Sequence, residues 1–130
     1  MVTERTGGCA CGAVRFVARG EPKRVANCHC MTCRKAHGAP FVAFVIFADE
    51  QVTVTGELRE WRASPPYARC FCPHCGSRVL GRENGETELS LGAFDDTGVF
   101  TPQYEVFVGH REPWQAALPV PQFPAMRGNP

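Results

Sequence analysis

Apolar and β-branched runs recur at short intervals along the chain: AVRFVA at 13–18, FVAFVIF at 41–47, QVTVT at 51–55, SRVLG at 77–81, ETELSL at 86–91 and YEVFV at 104–108. Their length and composition predict strands. Gly-rich and polar punctuation separates them, notably RGEP at 19–22, ENGE at 83–86 and DDTG at 95–98, which favours tight turns and antiparallel pairing. No segment carries four turns of clean helical periodicity. The best short helix is Met31–His37, and a second helical turn is expected over 113–118. The pattern therefore predicts a mainly β fold with short helical turns.

Five of the eleven prolines fall in the last eighteen residues, so 113–130 reads as a proline-rich tail wrapped over the domain or partly flexible. Trp114, Leu118 and Phe123 are its expected anchors. A chain of 130 residues is the length of one domain, so 1–130 is read as a single unit. Fourteen Lys and Arg nearly balance thirteen Asp and Glu, and a net charge of +1 supplies no field to attract nucleic acid or an anionic membrane. The first residues lack a secretory apolar run, and the longest apolar stretch, at 41–48, is too short to span a bilayer. The expectation is a soluble, cytoplasmic protein that binds neither nucleic acid nor membrane.

Eight cysteines change this picture. Two hexapeptides, CHCMTC at 28–33 and CFCPHC at 70–75, share the spacing C-x-C-x-x-C, and Cys9 and Cys11 form a further C-x-C. In a reducing compartment such clusters are more often metal ligands than disulfides. Two cysteines separated by one residue form at best a small strained ring, whereas both can reach one ion. Zinc takes thiolates at about 2.3 Å in a tetrahedron, and each short pair supplies two corners.

The stretch CPHCG, Cys72 to Gly76, is a zinc-knuckle turn, in which successive N–H groups face the first sulfur and Gly76 takes the positive φ that follows the second. Cys9 and Cys11 can complete it with Cys72 and Cys75 as a closed, structural four-thiolate site. Cys28, Cys30, Cys33 and Cys70 remain, and two readings stay open. If Cys70 reaches the triplet, the second site is also closed; if it does not, three protein ligands leave a position for substrate, the arrangement of catalytic zinc.

The ordered motifs GCACG at 8–12, CHCMTCRK at 28–35, RCFCPHCGS at 69–77 and H-x-x-x-W at His110 and Trp114, followed by LPxPxF, resemble the glutathione-dependent formaldehyde-activating enzyme family, which includes centromere protein V domains. The resemblance runs from about residue 5 to residue 123. It implies a zinc-stapled, mostly antiparallel β structure called a β-tent. It also implies a structural zinc on Cys9, Cys11, Cys72 and Cys75, and a catalytic, labile zinc on Cys28, Cys30 and Cys33. The implied chemistry is condensation of glutathione with formaldehyde to S-hydroxymethylglutathione, formally a carbon–sulfur lyase in reverse.

Three thiolates on a divalent ion leave a net charge near −1, a poor Lewis acid but a good partner for a further soft sulfur. Glutathione carries two carboxylates, for which Arg34 and Lys35 are candidate anchors; Arg69 and Arg78 flank the knuckle and read equally as counter-charges to metal–thiolate centres. His29, His37 and His74 each lie near a ligand cysteine, and His29 is the first candidate for a general base. Asp95, Asp96 and Glu105 have no spacing that singles them out. Two rival readings are a non-catalytic, zinc-stabilised β domain that binds a partner macromolecule, and a metal-buffering or redox role for the Cys28 triplet.

Overall fold

A computed structural model describes residues 2–127. Ten strands and one α-helix follow in chain order: β1 (Glu4–Gly8), β2 (Arg15–Arg19), β3 (Arg24–Cys28), α1 (Met31–His37), β4 (Val42–Ala48), β5 (Val52–Thr55), β6 (Arg59–Trp61), β7 (Ala68–Phe71), β8 (Arg78–Glu83), β9 (Glu86–Ser90) and β10 (Tyr104–Val106). They form a three-stranded sheet in the order β1-β2-β5 and a seven-stranded sheet in the order β10-β3-β4-β9-β8-β7-β6. Every named pairing is antiparallel except that of β10 with β3, which is parallel. The long irregular connection after β9 allows that exception, because a parallel neighbour cannot be reached by a tight turn.

The central strand β4 shows why its sequence is apolar throughout. Val45 and Phe47 point into one core with Phe16, Leu80 and Leu89, while Val42, Phe44 and Ile46 point into a second core with Cys28, Cys33 and Val106. A strand covered on both faces reads as a continuous hydrophobic run rather than an alternating one. The first core joins the two sheets, and the second lies under α1 and the C-terminal segment.

The hairpin from β8 to β9 turns on Asn84 (φ 51) and Gly85 (φ 75), the pair of positive φ angles that a two-residue type I′ turn requires. Its registers place Arg24, Ile46, Glu88, Gly81, Arg69 and Trp61 in one row across β3, β4, β9, β8, β7 and β6. Gly81 is the gap in this row. The Tyr67 ring fills it, and a Cβ at Gly81 would run into Tyr67 Oη. We expect Gly81→Ala to lower the urea-unfolding free energy by about 1–3 kcal/mol, the usual cost of overpacking; an unchanged midpoint would show that Tyr67 can vacate the gap freely.

The second helical turn expected over 113–118 is absent, and Pro113 and Trp114 form only a turn. Trp114 is 72% exposed and is no anchor. Phe123 does pack on the second core, and Leu118 is half-buried. Residues 121–125 are tied to β10 and the turn after it, with Glu105 N–H donating to Pro121 O, Phe123 N–H to Glu105 O and Phe107 N–H to Ala125 O. Residues 128–130 of the expected tail lie outside the described residues. Among the described residues no helix is long and apolar enough to cross a membrane.

Candidate metal centres

Four sulfurs meet where the end of β1 approaches the turn between β7 and β8: those of Cys9, Cys11, Cys72 and Cys75 all lie within 4.8 Å of one another. Cys9 and Cys11 are 3.6 Å apart, and Cys11 and Cys72 3.8 Å. A regular tetrahedron with about 2.3 Å metal–sulfur bonds has edges of about 3.8 Å, so the spacing matches a four-thiolate zinc.

The local backbone supplies the rest. Val14 N–H donates to Cys9 Sγ at 3.1 Å and His74 N–H to Cys72 Sγ at 3.4 Å. Gly76 (φ 76) closes the knuckle with its N–H on Cys72 O at 2.8 Å. Ser77 braces the two halves, its Oγ lying 3.2 Å from Cys75 Sγ and accepting from Ala10 N–H at 2.9 Å.

A second group, Cys28, Cys30 and Cys33, forms where β3 runs into α1. Cys30 caps the helix, its Sγ accepting from Cys33 N–H at 3.2 Å. Hydrogen bonds from Cys28 and then Cys33 hold the Cys30 thiol far below its ordinary range, while the contact with Cys30, that with Cys33, and burial push Cys28 up. Full ionisation of all three needs a cation, and that donor set fits a zinc ion.

Cys70 joins neither group. It is buried on β7 among the residues of the first core, where burial raises its thiol. The chain therefore gathers four sulfurs at one centre and three at the other, and all eight cysteines are free.

The three-sulfur group opens into a cavity of about 600 Å³. Phe44 and Ile46 line its floor, Tyr104 and Phe107 one wall, and Tyr67, Arg69 and Glu88 the other. Tyr67 Oη donates to Glu88 Oε1 at 3.0 Å, and burial raises the Glu88 carboxyl. Arg34 and Lys35 are not among the lining residues. Arg34 donates to Pro40 O, His110 O and Glu112 Oε1, and Lys35 is exposed on the helix.

The family model described as glutathione-dependent formaldehyde-activating enzyme matches residues 4–110. The chain belongs to this family. An uncharacterized lyase of Schizosaccharomyces pombe is 29% identical over 97 residues, covering 74% of this chain and 71% of that protein. Family membership and a lyase-named relative give a lyase-type function, and the two cysteine groups lie within the matched residues.

The histidines of this family member occupy positions that spacing did not reveal. His29 is fully buried, with Nε2 on Glu105 Oε1 at 2.7 Å, and is absent from the cavity lining. It links the triplet loop to β10. His74 is exposed in the knuckle. His37 is half-buried, and burial followed by the charges of Arg78 and Arg69 lowers it to about 4.

Glu105, which no spacing singles out in the sequence, is the hub of this region. Oε1 accepts from His29 and, at 3.4 Å, from Asn27 Nδ2; Oε2 accepts from Leu118 N–H at 2.9 Å, Gln122 Nε2 at 2.9 Å and Arg111 Nη2 at 3.2 Å. Its one sequence signal is a carboxylate amid the apolar alternation of YEVFV. Burial alone would raise this carboxyl, but the bonds from His29, Leu118, Gln122 and Asn27 outweigh it and hold the group at about 2. A depressed folded value contributes stability that is full above the unfolded value of about 4.3 and is lost as the pH falls towards about 2. Glu105→Gln should therefore cost about 3–5 kcal/mol at neutral pH, the range for breaking a buried charged network. In thermal melts the gap to wild type should close between about pH 5 and pH 2; a gap that does not change with pH would contradict this assignment.

Proposed function

We propose that the protein is a zinc-dependent carbon–sulfur lyase-type enzyme that acts on a thiol–aldehyde adduct, with glutathione and formaldehyde as the pair and S-hydroxymethylglutathione as product. The observation that carries the reading is the unequal gathering of sulfurs: four at Cys9, Cys11, Cys72 and Cys75, three at Cys28, Cys30 and Cys33 beside a cavity. In this reading the first set holds a structural zinc and the second a labile catalytic zinc. In this reading the protein is cytoplasmic, where thiols are held reduced and free to bind metal.

When bound at the three-sulfur centre, zinc supplies the ability to take a thiol as its thiolate at neutral pH. The chain does the rest. Cys28, Cys30 and Cys33 arrive on one short strand-to-helix turn, so their spacing is set by local backbone and not by long-range docking. Phe44, Ile46 and Phe107 exclude water from the reacting sulfur, and the cavity lies within the usual range of small-molecule sites. Tyr67 and Glu88 offer a hydroxyl and a carboxyl to the polar groups of the bound thiol.

The reading is tested by the initial rate of formaldehyde consumption by glutathione with metal-loaded protein, because the two reactants also combine unaided. A rate well above background supports it. A rate equal to background, with two zinc ions per chain and an intact fold, leaves the partner-binding domain as the better account.

A further inference from the structure

The row of residues across the seven-stranded sheet contains one cation that the fold does not neutralise. Arg69 is 7% exposed and is the sole arginine or lysine buried among the described residues. None of the ion pairs of these residues includes it. Its Nη2 donates to Cys33 Sγ at 3.6 Å, and its Nε is buried without a partner. Tyr67 stacks on the guanidinium at 4.9 Å and Trp61 at 5.9 Å. The side chain is therefore held in one place, against the three-sulfur group, in the wall of the cavity.

An arginine stays charged wherever it is placed, and burying its charge without an anion is costly. The net negative charge of three thiolates around a divalent ion answers part of that cost. It does not answer all of it, because Arg78 is half-buried on the adjacent strand, also lacks a carboxylate, and also has an unpartnered Nε. Arg78 lines the neighbouring cavity beside Cys9 and Cys75, so Arg69 is the arginine of the two at this cavity, and among the described residues its one side-chain hydrogen bond is to sulfur. Nε is buried away from the cavity, but the guanidinium lines it, and a fixed fork that gives only Nη2 to sulfur suits an oxygen that becomes negative during reaction.

We propose that Arg69 is a catalytic residue of this site, holding the negative charge that moves onto the aldehyde oxygen as sulfur adds to the carbonyl carbon. The inference rests on the thiol–aldehyde reading above. In the forward step a lone pair of the thiolate forms the C–S bond, the C=O π pair moves to oxygen, and Arg69 faces the resulting alkoxide. The proton released earlier by the thiol returns through water to that oxygen, giving the thiohemiacetal hydroxyl. In reverse the hydroxyl loses its proton, the C=O double bond reforms and the C–S pair returns to sulfur. No oxidant or further reactant enters.

The test uses full-length, metal-loaded protein and three variants of known metal content and melting temperature. Arg69→Ala should lower kcat/KM, measured above background, by about 10²–10³, the loss seen when one oxyanion donor is removed. Millimolar guanidinium should restore part of the rate, and equal ammonium should not. Arg69→Lys keeps the charge near Cys33 but loses the fork, and should remain at least tenfold slow; it decides the matter if Arg69→Ala does not fold. Trp61→Ala, which frees the fork, should fall between wild type and Arg69→Lys.

A second readout needs no turnover: wild type should prefer S-carboxymethylglutathione to S-methylglutathione, which lacks the extra carboxylate on sulfur, and Arg69→Lys should shrink that ratio at least tenfold. Full activity in Arg69→Lys beside an active wild type, or a ratio that does not change, overturns the inference and leaves the proposed function standing. If wild type does not exceed background while the ratio still depends on Arg69, the substrate pair is wrong and the anion-holding role survives.

Discussion

Replacing Cys75 with serine is expected to unfold the protein at ordinary temperature and to lower bound zinc from two ions per chain to one or none. The four-sulfur centre links the end of β1 to the turn between β7 and β8, and Cys11 and Cys72 meet across 61 positions of sequence. Structural zinc contributes roughly 10–16 kcal/mol of apparent binding free energy in small domains. That matches or exceeds the whole stability of a typical domain, about 5–15 kcal/mol. One serine in place of a thiolate forfeits much of it. Far-ultraviolet circular dichroism and metal analysis check the expectation; a cooperative melt near that of wild type would remove the centre from its structural role.

Cys30→Ser should do the opposite. The side chain is the N-cap of a seven-residue helix whose buried residue is Cys33, and serine is itself a favoured N-cap, so the fold should lose little. Turnover above background should disappear within detection, and zinc should fall to one ion per chain. If Cys30→Ser unfolds the domain, the triplet is structural too. If Cys70→Ser, made in parallel, strips the second zinc while Cys30→Ser does not, the division of the sulfurs is wrong.

Much of the fold was legible because its signals are local. Met31–His37 is a helix with the bounds that its position after the first cysteine pair suggested, and the apolar runs at 41–47, 51–55, 77–81 and 86–91 all became strands. Four strands escaped notice for identifiable reasons. β1 is ERTGG, without an apolar residue, and gains its pairing from β2. β3 and β7 carry Arg24, Asn27 and Arg69 at buried or half-buried positions that read as surface. β6 is three exposed residues at the sheet edge, defined only by its neighbour.

The site divides in the same way. The sulfur groups could be read from C-x-C and C-x-x-C spacing because each pair is delivered by one turn. The cavity wall could not. Arg69, Tyr67 and Glu88 come from β7, the segment before it, and β9, and they meet only because Gly81 leaves room between them. Arg34, adjacent in sequence to the triplet, instead points to Pro40, His110 and Glu112.

By itself the sequence determined the mainly β class, the short helix, the short-spaced cysteine pairs and the family, since these rest on short motifs whose backbone geometry is set locally and on the order of those motifs along the chain. Only the tertiary structure decided that Cys70 stays in the core, that His29 is spent on Glu105, and that one arginine is buried beside Cys33. Those outcomes depend on which strands pair and which faces they turn to one another, and pairing is settled by the burial of the whole sheet rather than by any one stretch of chain.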